Sequence, residues 1–235
     1  MRFQTELVSA RLTRRYKRFL ADCVLESTGA EITAHCANPG SMMGLAAPGT
    51  RVWLEPNDDP KKKLKYGWRL VDHQNGHFTG VDTSLPNRAL KTALMSRSIA
   101  TFADYGLVRA EVKYGQNSRI DFLLSEAGMP DAYIEVKSVT LSRLQGQAEF
   151  PDSVTTRGAK HLTELARMAE LGHRAIMLYL VQRTDCSVFT LAEDIDPAYA
   201  AAYRAAREAG VETYCFGTNI TPQGVEVADL LAVSV

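Results

Sequence analysis

Ser118-Arg-Ile-Asp-Phe-Leu-Leu124 and Ala132-Tyr-Ile-Glu-Val-Lys-Ser138 read as two neighbouring strands, and this pair sets the rest of the chain in order. Side chains alternate along a strand, so Glu135 and Lys137 face one way, Ile134 and Val136 the other. In the earlier segment Ile120, Phe122 and Leu124 share an apolar face, with Asp121 opposite. The connection Glu126-Ala-Gly-Met-Pro130 is short enough for an antiparallel turn, which brings Asp121 toward Glu135. Two carboxylates and an ammonium on a half-buried sheet are costly unless compensated. A divalent metal compensates them, since Mg²⁺ binds through one or two carboxylates plus waters and substrate phosphate. Lys137 would then orient the attacking water or stabilise charge developing at phosphorus. The expectation is a catalytic set of Asp121, Glu135 and Lys137, with Mg²⁺ or Mn²⁺ as cofactor and metal-assisted phosphodiester hydrolysis as reaction. Glu111-Val-Lys113 repeats the triplet on the strand before, and Glu111 is expected as an auxiliary metal ligand, direct or through water.

Working outward, 107–113, 119–125 and 132–139 form a three-strand meander, the first two separated by Gly115-Gln116-Asn117. A helix is expected before it, from Pro86-Asn87 to about 105, and another after it, from 157 to 171, ended by Gly172. The apolar run 175–182 reads as a strand buried on both faces. Asp196-Pro197 opens a further helix that Gly210 closes, and strands at 211–216 and 224–231 follow. Helix, three strands, helix, strand is an α/β core with one crossover.

The front of the chain reads differently. Strands at 19–25, 30–36, 50–54, 65–71 and 77–81 are broken by Asn38-Pro39-Gly40, Pro48-Gly49, a Pro56–Pro60 turn and the hairpin signal Asn75-Gly76. Many short strands without a helix predict a small β-barrel, OB-fold-like or SH3-like. The division is a barrel over 1–85 and an α/β domain over 86–235. Charge follows it: the first part carries 12 basic against 9 acidic residues, net +3, and the second 15 against 18, net −3. That polarity suits a front that meets phosphate and a back that holds carboxylates for metal, although short basic runs are as often plain solvated surface.

Arg14, Arg15, Lys17 and Arg18, beside Tyr16 and Phe19, suit a segment tracking a phosphate backbone. Asp152, Arg157, Lys160 and His161 straddle a helix start, where backbone N–H groups favour an anion, and Arg157, Lys160 and His161 are read as phosphate contacts. His161 could equally begin a packed face. Trp53 and Trp68 read as barrel core or rim, and His73 and His77 as ordinary surface. Cys23, Cys36, Cys186 and Cys215 have no C-x-x-C spacing, which argues against zinc or a disulfide scaffold. No apolar signal core or membrane-length run is visible, so a reducing, cytoplasmic setting is the simplest reading.

His35-Cys-Ala-Asn-Pro-Gly-Ser-Met42, Glu111-Val-Lys-Tyr-Gly115, Ser118-Arg-Ile-Asp121, Glu135-Val-Lys-Ser-Val-Thr-Leu141, Phe150-Pro-Asp-Ser-Val-Thr-Thr-Arg-Gly-Ala-Lys-His-Leu162 and Ile195-Asp-Pro197 together resemble the sugar fermentation stimulation protein A family. The resemblance implies a DNA-binding protein linked to regulation of sugar (maltose) metabolism. It also implies an N-terminal OB-fold and a restriction-endonuclease-like domain of the PD-(D/E)-x-K class, with Asp121, Glu135 and Lys137 on that class's motif. Ala37 and Pro39 depart from the family's usual Pro and Thr, in the loop after His35-Cys36. Three functions follow: a Mg²⁺- or Mn²⁺-dependent nuclease, a non-catalytic DNA-binding regulator that retains the nuclease fold, or an OB-type module for protein or oligosaccharide. The partner expected first is nucleic acid, DNA before RNA, with no membrane, and a homodimer stays open.

Overall fold

The structure is a computed structural model that describes residues 1–115 and 118–235, so Gln116 and Asn117 of the expected turn lie outside the described residues. β1 (Val8–Tyr16), β2 (Leu20–Leu25), β3 (Glu31–Cys36), β4 (Arg51–Pro56) and β5 (Tyr66–Asp72) close into a barrel. β1 lies between β2 and β4, all antiparallel, and β5 pairs with β4 on one side and in parallel with β3 on the other, at His35/Gly67 and Cys36/Trp68. That parallel closure makes it an OB-type barrel. Alternation builds its interior: Ala21, Cys23 and Leu25 of β2 point in with Leu12, Leu54 and Trp68, whose indole N–H donates to the Leu70 carbonyl at 2.9 Å. β1 escapes the sequence pattern because a register shift between Leu12 and Arg14 interrupts its period.

β6 (Phe78–Gly80) pairs with β5 beyond the Asn75-Gly76 turn and also bonds to the second domain. Gly80 N–H donates to the Gln182 carbonyl (2.8 Å), Thr184 N–H to the Phe78 carbonyl (3.1 Å), and Phe78 N–H to the Thr184 hydroxyl (3.0 Å). His73 and His77 meet the Thr79 and Thr184 hydroxyls, at 2.7 and 3.2 Å, so they belong to this junction and not to ordinary surface. The approach leaves no room at Gly80, where a Cβ would lie 2.7 Å from Gln182 Oε1 and 3.3 Å from Leu85 Cδ1. Gly80→Ala is expected to lower unfolding free energy by about 1–3 kcal/mol, measured by urea denaturation.

The second domain opens with α1 (Leu85–Met95) and a 3₁₀ turn (Ala100–Phe102), two pieces where one helix to 105 was expected. Ser96 and Ser98 hydroxyls both bond the Ala93 carbonyl and Arg97 takes φ +54°, which ends the helix. Then come β7 (Leu107–Tyr114), β8 (Ser118–Ser125), β9 (Ala132–Val139), the hairpin β10 (Leu141–Leu144) and β11 (Gly146–Phe150), and α2 (Thr156–Glu170). β12 (Arg174–Val181), β13 (Cys186–Leu191), α3 (Pro197–Glu208), β14 (Glu212–Thr221), β15 (Gly224–Leu230) and β16 (Ala232–Val233) complete the described residues. The main sheet runs β15-β14-β12-β9-β8-β7, with β12 parallel to both β9 and β14. A smaller sheet, β10-β11-β13-β16, lies beside it; its short strands carried no clear sequence period.

β12 is buried along nearly its whole length, as a strand covered on both faces must be. Ile176, Leu178 and Leu180 pack with Leu90, Leu94, Ile134 and Val136 on the α1 side. Met177, Tyr179 and Val181 pack with Leu162, Leu165 and Tyr203 on the α2/α3 side. Thr155 caps α2 by accepting from Gly158 N–H (3.1 Å), and Asp196 caps α3 by accepting from Tyr199 N–H (2.9 Å). Among the described residues no helix is long and apolar enough to cross a membrane.

Candidate metal and phosphodiester site

The strand alternation around Glu135 is as the sequence reads: Ile134 and Val136 enter the α1-side core, and Glu135 faces α2. The expected common face of Ile120, Phe122 and Leu124 is not kept. Phe122 and Leu124 pack on the α1 side, but Ile120 joins Tyr114, Leu123 and Val139 on the other. Two irregularities explain the rotation. On β7, Glu111 takes φ +54° and drops out of the pairing between Ala110/Phe122 and Val112/Ile120, with the register unchanged. On the other side β8 pairs with β9 only over Phe122–Leu124 and then separates.

Asp121 stands where the strands part. Its Oδ2 accepts from Val136 N–H (2.7 Å), taking a donor the broken ladder releases, and its Oδ1 accepts from Asn87 Nδ2 (2.7 Å) on the first turn of α1. Glu135 is 3% exposed. Its Oε1 accepts from Lys137 Nζ (2.7 Å) and is hydrogen-bonded to His161 Nδ1, while Oε2 is buried with no hydrogen-bond partner. Lys137 Nζ lies 3.3 Å from His161 Nδ1, and Arg157 Nε 3.3 Å from His161 Nε2. These groups line one cavity of about 250 Å³ together with Thr83, Ser138 and Thr155.

The structure thus brings Asp121, Glu135 and Lys137 to one cavity and adds His161, Arg157 and Asn87. Glu111 is not brought there: it is exposed on edge strand β7 and does not line the cavity. Its left-handed backbone turns its side chain out of the alternation that the ligand expectation assumed. His161 is also corrected, because it is 5% exposed and packed on Glu135, which removes it from an outer phosphate-contact surface. Arg157 stays exposed at the cavity rim, and Lys160 is exposed 3.8 Å from Glu164. On the barrel, Arg14 pairs with Asp22 (2.8 Å) and covers the Tyr16 ring. Arg15 spends its guanidinium on the carbonyls of Asn38 (2.8 Å), Gly40 (3.0 Å) and Arg18 (3.1 Å). Lys17 and Arg18 stay exposed in the β1–β2 turn. Asn87 was missed, since nothing local separates an Asn after Pro86 from any helix-start residue.

Burial first, and then the Glu135 charge, push the Asp121 carboxyl up to about 6, against the bonds from Val136 and Asn87. For Glu135 burial also pushes up, but the His161 hydrogen bond and the Lys137 charge outweigh it and hold the carboxyl below its ordinary value. The native Asp121 carboxyl keeps its proton to higher pH than the unfolded chain does, so its favourable contribution is lost as pH rises through about 6. Asp121→Asn is therefore expected to stabilise the fold by roughly 2 kcal/mol near pH 8 and by little near pH 4, as urea titrations at the two pH values would show.

Among the described residues no three or more His, Cys, Asp or Glu side chains form a ready metal cage. A hard cation that keeps several waters needs less, and the partnerless Glu135 Oε2 beside Asp121 fits it.

The family model described as the sugar fermentation stimulation protein RE domain matches residues 84–224, and the one described as the SfsA N-terminal OB domain matches 13–81. The chain belongs to the sugar fermentation stimulation protein family. A sugar fermentation stimulation protein homolog from Roseobacter denitrificans is 81% identical over 233 residues, covering 99% of each chain. One from Ruegeria pomeroyi is 76% identical over 231 residues, covering 98% of this chain and 100% of the relative. The solved structure of Pyrococcus furiosus SfsA in complex with Ca²⁺ superposes with a TM-score of 0.88 at 24% identity, over 100% of this chain and 98% of that one. At that identity the likeness speaks for the family's fold, an OB-type barrel joined to a mixed α/β domain.

Proposed function

We propose that this chain is a divalent-metal-dependent phosphodiesterase acting on nucleic acid, DNA first. The observation that carries the reading is the Glu135 carboxylate, buried with one oxygen unpartnered, in the same cavity as Asp121 and Lys137. An uncompensated buried carboxylate oxygen costs free energy, and a bound cation removes that cost. Asp121 and Glu135 would hold Mg²⁺ or Mn²⁺, and the Ca²⁺ named for the Pyrococcus furiosus protein is a hard, oxygen-seeking cation of the same kind. When bound, such an ion polarises a phosphoryl oxygen and acidifies a water.

The chain's own groups do the rest. Lys137 presents its ammonium from 2.7 Å beside Glu135, where it can stabilise charge on a phosphoryl oxygen. His161 fixes Glu135, and Arg157, exposed at the rim with its Nε on His161, can bind a flanking phosphate. Lys17 and Arg18 give the barrel exposed cations for the strand. The test is hydrolysis of labelled single-stranded, duplex, flapped and RNA substrates with Mg²⁺ or Mn²⁺, against a chelator control. Absence of metal-dependent products on every substrate counts against the reading.

One observation favours a second reading, the non-catalytic DNA-binding regulator. Both Asp121 oxygens and Glu135 Oε1 already have protein partners, a self-satisfied arrangement that a dormant site could keep. It expects salt-dependent binding without cleavage.

A further inference from the structure

Two sequence stretches that the metal site leaves unused, Asn38-Pro39-Gly40 and Phe150–Val154, meet across the domain junction. Between them lies a second cavity of about 260 Å³, which shares Thr83, Ser138 and Thr155 with the site holding Glu135. Its barrel-side wall is preformed. Arg15 binds the Asn38 and Gly40 carbonyls, Ser41 N–H donates to Asp152 Oδ2 (3.0 Å), and Asn38 Nδ2 donates to the Val81 carbonyl (2.9 Å). A Cβ on Gly40 would collide with the Asp152 carboxylate, so loop and carboxylate are in direct contact.

The two compartments differ in chemistry. The catalytic one carries Lys137, Arg157 and the two acids; among the described residues no Lys or Arg lines the second. Phosphate has no cation to meet there. The lining instead offers hydroxyls and carboxylates with the apolar surface of Phe150 and two prolines. Glu149, which also lines it, is neutralised by Arg143 through Nε at 3.0 Å and Nη2 at 2.7 Å. Hydrogen-bonding groups beside an apolar platform suit the edge and face of a base with its sugar, while the neighbouring phosphate belongs with the cations. A stacked base pair cannot fold itself into a cavity of this size, and entry requires an unpaired nucleotide.

We propose that this junction cavity is a strand subsite that takes one unpaired nucleoside next to the phosphate held at Asp121, Glu135 and Lys137, so that the protein selects single-stranded nucleic acid over duplex. The inference rests on the nucleic-acid reading above and deepens it. Val154, 71% exposed at the rim, is the position from which to block the cavity without disturbing the core.

The experiment uses the full chain in chelator, so that no strand is cut. A short oligodeoxynucleotide bearing a fluorescent adenine analogue is titrated as single strand and as duplex at one ionic strength, with wild type, Val154→Trp and Val154→Ala. The expected result is single-strand binding at least about tenfold tighter than duplex, with the analogue's emission changing on binding. Val154→Trp should lose most of that preference at unchanged Tm, and Val154→Ala should keep it. Equal or tighter duplex binding, or a Val154→Trp protein that binds single strands as wild type does, overturns the subsite while leaving nucleic-acid binding intact. Binding to neither form, at any salt and with Ca²⁺ in place of the chelator, overturns the functional reading and the subsite with it.

Discussion

Glu135→Gln and Lys137→Met are each expected to reduce metal-dependent strand cleavage by a factor of about a hundred to a thousand or more. The two should differ in everything else. Glu135→Gln removes the charge that would hold the cation, so the heat of Mn²⁺ binding in a calorimetric titration should vanish with activity. It also replaces the charged acceptor that Lys137 and His161 share with a neutral amide oxygen. Lys137→Met keeps both carboxylates and removes only the ammonium, so Mn²⁺ should still bind, while the rate falls through loss of charge stabilisation at the phosphoryl group. Oligonucleotide affinity should fall far less than cleavage in either variant, because Lys17 and Arg18 lie outside this cavity, on the barrel. Full cleavage by the Lys137→Met protein would remove Lys137 from the catalytic set.

The largest expected effect on stability is at Arg69. Its guanidinium, 19% exposed, donates from Nε to Glu55 Oε2 (2.8 Å) and from Nη1 to Asp82, two acids each about 5% exposed. Arg69→Ala leaves both charges buried without a counter-ion, a change that costs about 3–5 kcal/mol. The loss should depend on pH in a defined direction. Burial pushes the Glu55 carboxyl up, but Arg69 and the Gln4 amide outweigh it and hold it below its ordinary value. The native protein therefore keeps this contribution at neutral pH and loses it as pH falls through the depressed value. In the variant burial acts unopposed by Arg69, Glu55 takes up its proton at higher pH than in the native protein, and the deficit should shrink toward acid pH. Denaturation curves at neutral and acid pH would show it, and a deficit independent of pH would contradict this account. Asp82 also accepts from Ser84 N–H (2.8 Å) just ahead of α1, so the variant should loosen the helix that carries Asn87 to Asp121.

The sequence made part of this legible. Alternation along 132–139 separates Glu135 from Ile134 and Val136 because β9 is regular, and an unbroken apolar run marks β12 because it is covered on both faces. Alternation failed at Ile120, where the strand turns beside the left-handed Glu111 and leaves its neighbour. A period of two carries no information about such a break. The same break put Glu111 outside the cavity while giving Asp121 the Val136 amide. The sequence places His161 at a helix start, but only packing shows that it leans on Glu135 and not on solvent. Arg15 looks like its basic neighbours in sequence, and only the fold reveals that its Nε and Nη2 are bonded to three carbonyls.

The bonds from β6 to residues 182–184 have a mechanical meaning. They fasten the barrel directly to the chain leaving β12, and β12 is the parallel neighbour of the strand that bears Glu135 and Lys137. A twist of the barrel at that seam is therefore passed to the strand of Glu135 and Lys137 through one intervening neighbour.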